Sequence, residues 1–169
     1  YDEKSSDTLQ KLGVKAFKIA STDNNNIKLI THIAKKKIPI ILSTGMMDMK
    51  TLEQSIKTIK KSGNSKIAIL HCTSNYPCSL KNTNLLIIQK LKKKFKLPVG
   101  FSDHTEGSLA SIIATSLGAS VIEKHFTLNK KLPGPDHIMS MDPSELEKFI
   151  SEIKNIHNLY GRKEKVVLK

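Results

Sequence analysis

The stretch LPVGFSDH, residues 97–104, decides how this chain is read. It begins as a strand apolar on both faces and ends in Ser102, Asp103 and His104, groups that are costly to bury without partners. SVIEKHF, residues 120–126, repeats the design: Val121 and Ile122 lead into Glu123, Lys124 and His125. Two buried strands that both finish in polar groups point to a shared site at one end of a sheet.

Three further runs match this pattern: AFKIAS (16–21), PIILST (39–44) and KIAILHCT (66–73). Such short, Ile/Val/Leu-rich runs suit strands covered on both faces. Between them the apolar period changes to that of a helix. MKTLEQSIKTIKKSG (49–63) places Leu52, Ile56 and Ile59 on one face and stops at Gly63. NTNLLIIQKLKKKFK (82–96) aligns Leu85, Ile88, Leu91 and Phe95, and EGSLASIIATSLGA (106–119) stops at Gly118. SSDTLQKLG (5–13) supplies a helix ahead of the first strand. The last helix has the clearest signals: Asp142 as N-cap, Pro143 at the first helical position and Glu145 to complete a capping box. Leu146, Phe149, Ile150, Ile153 and Tyr160 form its expected apolar stripe, and Gly161 ends it.

Alternating strands and helices imply a parallel sheet with helices outside. The choice lies between an open doubly wound sheet and a (β/α)₈ TIM barrel. No G-x-G-x-x-G or G-K-[ST] phosphate signature is present. Polar residues gather at the ends of all five strands, which favours a barrel, where many strands contribute to one site. A barrel needs roughly 200 residues or more, so five units make only part of one.

The composition is that of a globular protein, with 38 % hydrophobic and 25 % charged residues among 169. No apolar run is long enough to span a membrane, and YDEKSSDT is no signal peptide. With only Cys72 and Cys78, a reduced, cytoplasmic location is expected. The net charge of +13 raises the possibility of nucleic-acid binding. Against it, Arg162 is the single arginine, and the lysines (35–37, 60–61, 92–94, 130–131) read as scattered over helix surfaces without interleaved aromatics. Neither nucleic acid nor membrane is therefore expected as a partner.

Strand alternation places Ser102 with His104 on one face, and Glu123 with His125 on one face. If both pairs point inward, two imidazoles could hold a divalent metal while Glu123 orients a ligand or moves protons. The alternative is one satisfied core histidine and one exposed one. Lys18 and the strand-end hydroxyls of Ser21, Ser43, Ser74 and Ser102 make a cradle for phosphate or carboxylate, although each serine also suits a helix N-cap. His71 and Cys72 read as core packing. The rigid LPGPD turn (132–136) follows the His125 strand and is able to project Asp136 over the site.

FKIAS (17–21), ILSTGM (41–46), LHCTSNYP (70–77), GFSDHT (100–105), EKHFT (123–127) and PGPD (133–136), in this order, resemble the sialic acid synthase family. Its members condense phosphoenolpyruvate with an N-acetylated amino sugar to make nonulosonic acids. The resemblance implies a (β/α)₈ barrel with a divalent metal, Mn2+ first and Mg2+ or Co2+ as alternatives. His104 and His125 match its metal ligands. Lys18, Ser21, Ser43, Ser74 and Ser102 match its phosphoenolpyruvate-binding positions, and Tyr76, Glu123 and Asp136 match positions near the sugar. Asp23 stands where many members have Glu, and Tyr1 where they have an aromatic residue. Glu123 and Asp23 are the expected catalytic carboxylates.

Aligned this way, residues 1–161 resemble strands four to eight of the barrel, and 162–169 the start of a link to an antifreeze-like domain. The first three strands would be missing, so this stretch alone is expected to be inactive. A homodimer is implied for the full-length protein. Two alternatives remain: another phosphoenolpyruvate-dependent 3-deoxy-sugar acid synthase, such as an octulosonate or heptulosonate synthase, and a non-enzymatic basic nucleic-acid-binding module.

Overall fold

The structure, a computed structural model, describes residues 2–162 together with Glu164 and Val167. Tyr1 and most of the 162–169 segment lie outside the described residues. Five strands form one sheet: β1 (Phe17–Ile19), β2 (Ile40–Ser43), β3 (Ile67–Cys72), β4 (Val99–Asp103) and β5 (Ile122–Lys124). Every neighbouring pair is parallel, and the spatial order is β1-β2-β3-β4-β5. That order settles the choice of fold. A doubly wound sheet reverses direction at a switch point, whereas here each strand is laid beside the last without reversal, as in one arc of a barrel.

The helices are α1 (Glu3–Lys11), α2 (Ile27–Lys35), α3 (Met49–Lys61), α4 (Ile87–Phe95), α5 (Leu109–Ser116) and α6 (Pro143–Tyr160), with a 3₁₀ turn at Leu80–Asn82. Successive helices touch, α1 with α2, α2 with α3 and α5 with α6, as an outer layer requires. The core lies between that layer and one face of the sheet. Phe17, Ile19, Ile40, Leu42, Ile67, Ile69, Val99 and Phe101 meet Leu29, Ile33, Leu52, Ile56, Ile59, Ile88 and Leu91 of the helices there. His71 belongs to this side, as its parity requires. It is buried, stacks on Phe101 at 5.8 Å and bonds the Thr83 carbonyl through Nε2 at 2.7 Å. Burial pushes its pKa down despite that bond, so the ring stays neutral.

The α6 start forms as its sequence requires. The Asp142 side chain accepts from Glu145 N at 2.9 Å, and Glu145 Oε2 accepts from Asp142 N at 3.1 Å. Its apolar stripe is narrower than expected. Phe149 and Ile156 are buried, while Ile150 is 44 % exposed and the Tyr160 hydroxyl donates to Ser116 O at 2.8 Å. Lys130 and Lys131 sit in the loop after β5 rather than on a helix, and Lys130 pairs with Glu145 at 2.6 Å. No described helix is long and apolar enough to cross a membrane.

Candidate active site

Parity sends the other half of each strand to the opposite face of the sheet. Cys72 pairs with Ser102, and Ser102 with Glu123, in one layer at the carboxyl ends of β3, β4 and β5. One layer below, Ser43 pairs with Leu70 and Leu70 with Gly100. Gly100 is required there: a Cβ would lie 2.3 Å from the Val121 carbonyl oxygen and 2.6 Å from Leu70 Cδ2. The polar strand ends therefore converge on one rim.

Three of the expected residues form a chain across the sheet. Ser102 Oγ donates to Glu123 Oε1 at 2.6 Å, and Lys18 Nζ lies 3.2 Å from Glu123 Oε2. Lys18 comes from the far strand β1, so the Glu123–Lys18 pair spans the concave face. Ser102 is buried, but the Lys18 and Glu123 side chains are 33 % and 41 % exposed and remain open to a ligand.

A cluster of three rings stands beside this chain. The His104 and His125 centroids are 5.4 Å apart, nearly perpendicular at 68°. Tyr76 stacks obliquely on His104 at 4.1 Å and meets His125 edge-on at 5.9 Å. His104 Nδ1 lies 3.0 Å from the Thr73 carbonyl oxygen, which only accepts, so the proton sits on Nδ1 and the Nε2 lone pair is left free. The Asp136 carboxylate is 3.7 Å from His125 Nδ1. It is delivered by a loop that leaves β5 and returns to it: Met141 N donates to His125 O, and Thr127 N to Met141 O. Among the described residues no group of three or more His, Cys, Asp and Glu is placed to hold a metal ion.

The two imidazoles are tuned in opposite directions. Burial pushes the His125 pKa down, aided by His104 and opposed by Asp136. Burial also acts to lower His104, but the Cys72 thiol and the Thr73 carbonyl outweigh it and hold the ring above the ordinary imidazole value.

Cys72 is the residue that sequence reasoning misplaced. It was expected in core packing, yet its Sγ lies 3.7 Å from Ser21 Oγ and 3.9 Å from both Ser74 Oγ and His104 Nδ1. Burial works against a thiolate, but His104 and the two hydroxyls hold the thiol below its usual range. The signal was available: Cys72 follows His71, which faces the helices, so parity turns Cys72 toward Ser102. These side chains crowd over Gly45, where a Cβ would come within 2.2 Å of Ser74 Oγ and 2.7 Å of Ser21 Oγ.

Asn24 is a second residue that the sequence reading passed over. It is buried, and its Nδ2 donates to Ser43 O at 3.1 Å and Gly45 O at 2.7 Å, while its own carbonyl accepts from Ser55 Oγ. It thereby braces the turn that carries Ser43, whose Oγ is buried without a hydrogen-bond partner. Asp23 is not drawn into the ring cluster. It lines a cavity of about 370 Å³ along β1 together with Lys18 and Ala20.

Residues 1–165 match the model of the NeuB family. The chain is 47 % identical over 98 % of its length to the N,N'-diacetyllegionaminic acid synthase of Legionella pneumophila. It also superposes on the N-acetylneuraminic acid synthetase of Leptospira borgpetersenii, solved in complex with citrate, with a TM-score of 0.93 and 34 % identity over 99 % of the chain. It spans 48 % of the first of these relatives and 59 % of the second. A truncated 3-deoxy-D-arabino-heptulosonate 7-phosphate synthase from Thermotoga maritima shares the fold at a TM-score of 0.82 and 20 % identity, covering 96 % of this chain and 65 % of that one. The α/β architecture is thus a parallel five-stranded portion, about half, of a TIM-barrel protein, and the chain belongs to the NeuB family.

Proposed function

We propose that the protein carrying this chain condenses phosphoenolpyruvate with the open-chain form of an N-acetylated amino sugar, giving a nonulosonic acid and free phosphate. The observation that carries this reading is the convergence of a Lys–Glu–Ser chain, an imidazole pair and a buried hydroxyl pocket on one rim.

Phosphoenolpyruvate brings a phosphate and a carboxylate. Lys18 supplies the cation, and Ser21, Ser43, Ser74 and Ser102 supply hydroxyl donors around it. The unpartnered Ser43 Oγ fits this role, because a buried hydroxyl without a partner gains most when a ligand oxygen arrives. Holding both acidic groups in one cradle aligns C3 of phosphoenolpyruvate with the sugar aldehyde, and such positioning supplies much of the rate. The C2–C3 π electrons form the new bond from C3 to the aldehyde carbon, whose oxygen takes up a proton to become a hydroxyl. Water adds at C2 with loss of one proton, and the C2 carbonyl forms as the C–O bond breaks and phosphate leaves. In this reading Glu123 takes the proton of that water, a role supported by its half-exposed carboxylate and its pairing with Lys18 at 3.2 Å. Tyr76 and Asp136 flank the imidazoles and would face the sugar. Asp23, on the cavity beside Lys18, is the second catalytic carboxylate of this reading.

The donor set suits a divalent cation. His104 presents a free Nε2, and its Nδ1 is oriented by a carbonyl, the arrangement by which protein-bound imidazoles are fixed for metal binding. Bound through His104 and His125, Mn2+ (or Mg2+ or Co2+) would supply Lewis-acid polarisation of the aldehyde.

The sugar we favour is a diacetamido hexose, supported by the 47 % identity to a diacetyllegionaminic acid synthase. We read the whole protein as a cytoplasmic homodimer. The test is a turnover assay of that whole protein with Mn2+ and phosphoenolpyruvate. The acceptor panel comprises N-acetylmannosamine, its 6-phosphate, a diacetamido hexose, arabinose 5-phosphate and erythrose 4-phosphate. Phosphate release and a nonulosonic product with an N-acetylated sugar are expected. Turnover only with the two phosphopentose- and phosphotetrose-type acceptors, or with none, overturns the reading.

A further inference from the structure

Each strand that supplies an imidazole also turns a charged residue away from the site. Asp103, between Ser102 and His104, and Lys124, between Glu123 and His125, are direct partners in the β4–β5 register. Their side chains are 0 % and 5 % exposed, and Lys124 Nζ lies 3.2 Å from Asp103 Oδ2. Asp103 Oδ1 accepts from Thr105 N at 2.8 Å, Oδ2 accepts from Ser111 Oγ at 2.5 Å, and Lys124 Nζ donates to the Thr105 carbonyl. The pair therefore ties together the end of β4, the turn after it, the first turns of α5 and the end of β5.

A buried ion pair is weak evidence for stability, because desolvation offsets the attraction. What it enforces is geometry. Two carboxylate oxygens, one ammonium and three fixed partners define the angle at which the backbone carries His104 and His125 off their strands. On the inward side the Thr73 carbonyl orients the His104 ring and Asp136 lies near His125, but no inward hydrogen bond among the described residues joins the two imidazoles. The Asp103–Lys124 pair does join the strand ends that carry them.

We propose that Asp103 and Lys124 are positioning residues that set the spacing of the His104–His125 pair from behind the sheet. The inference rests on the reading that this pair binds a divalent cation. It extends that reading to residues that touch neither cation nor substrate.

The test measures Mn2+ affinity by electron paramagnetic resonance in the whole protein that carries this chain, beside its thermal melting temperature. Four variants are compared with the parent: Lys124→Met, Lys124→Arg, the double Asp103→Asn/Lys124→Met, which leaves no unpaired buried charge, and His104→Ala. Loss of partners that orient metal-bound imidazoles weakens affinity about 10–100-fold. A loss of about tenfold or more is expected for the folded double variant, with Lys124→Arg restored to within about threefold of the parent. Ser111→Ala removes one hydroxyl from Asp103 without introducing a charge, and is expected to weaken binding about threefold even if the charge variants fail to fold. Parental affinity in a folded double variant, or in Ser111→Ala where the double variant does not fold, overturns the proposal even if melting temperatures fall. A parent that takes up no Mn2+, or takes it up undiminished after His104→Ala, overturns the cation reading and this proposal with it.

Discussion

Ser102 and Glu123 face one another across β4 and β5, hydroxyl donating to carboxylate at 2.6 Å, while Lys18 holds the other carboxylate oxygen from β1 at 3.2 Å. One side chain thus joins the two ends of the sheet. Glu123→Gln preserves its shape and its contact with Ser102 but removes the charge opposite Lys18. Removal of a positioned acid–base group costs about 10²–10⁴ in rate. On the proposed reading a fall of that order in kcat is expected, with Mn2+ affinity changed by less than about threefold, because the proposed general base and the proposed metal ligands are different side chains. Steady-state kinetics beside a Mn2+ titration check both halves.

The opposite tuning of the two histidines predicts the shape of a pH profile. A cation displaces a proton from each imidazole it binds. His104 holds its proton above the ordinary value of about 6.5, and His125 releases its proton below it. As pH falls, affinity should therefore decline first through His104, at about tenfold per unit, starting nearer neutrality than ordinary imidazoles would give. Below the His125 pKa two protons compete, and the decline should steepen to about a hundredfold per unit. Cys72→Ala removes a group that raises His104 and should shift the first break to lower pH. Mn2+ titrations at intervals from pH 5 to 8 read both slopes.

Gly45 separates binding from folding. The atoms nearest a Cβ there are side-chain ends rather than backbone, Ser74 Oγ, Ser21 Oγ and Cys72 Sγ, which must shift to admit it. Gly45→Ala should melt within a few degrees of the parent but aim both hydroxyls out of the cradle. Losing one charge-assisted hydrogen bond costs about 1.5–3 kcal/mol, so KM for phosphoenolpyruvate should rise about tenfold or more. An unchanged KM would remove the hydroxyl cradle from the mechanism.

Gly100 gives the converse. Its missing Cβ faces the Val121 carbonyl at 2.3 Å, and backbone does not swing aside. Gly100→Ala should cost about 1–3 kcal/mol by overpacking, read as a lower denaturation midpoint at unchanged slope.

At the other end of the chain, Asp142→Ala should cost about 1 kcal/mol through loss of the α6 cap. The loss is read as a lower melting temperature. Asp142 adjoins Met141, whose N–H holds the His125 carbonyl, so the cap also borders the loop that carries Asp136.

Much of this was legible in the residues because buried strands and capped helices are specified locally. Ile122 followed by Glu123 marks a strand leaving the core, and Asp142-Pro143 followed by Glu145 marks a helix start. Parity placed Ser102 with His104 and Glu123 with His125, each pair on one face; the β4–β5 register then sets Ser102 opposite Glu123. What was missed depends on three dimensions. Cys72 looks like any small core residue until Ser21 and Ser74, from other segments, close around it. The role of Asn24 lies in carbonyls about twenty positions away in sequence. Ile150 has helical spacing but stays exposed, so periodicity widened the α6 stripe beyond what is buried.

All five strands run one way, and the chemistry gathers where they end. The residues just before them include Lys15, Lys66 and Lys96, which are exposed at the opposite rim. Exchanging those lysines for glutamine or serine would lower the isoelectric point without touching the mouth, so the charge of the underside and the shape of the opening are separable properties of one sheet.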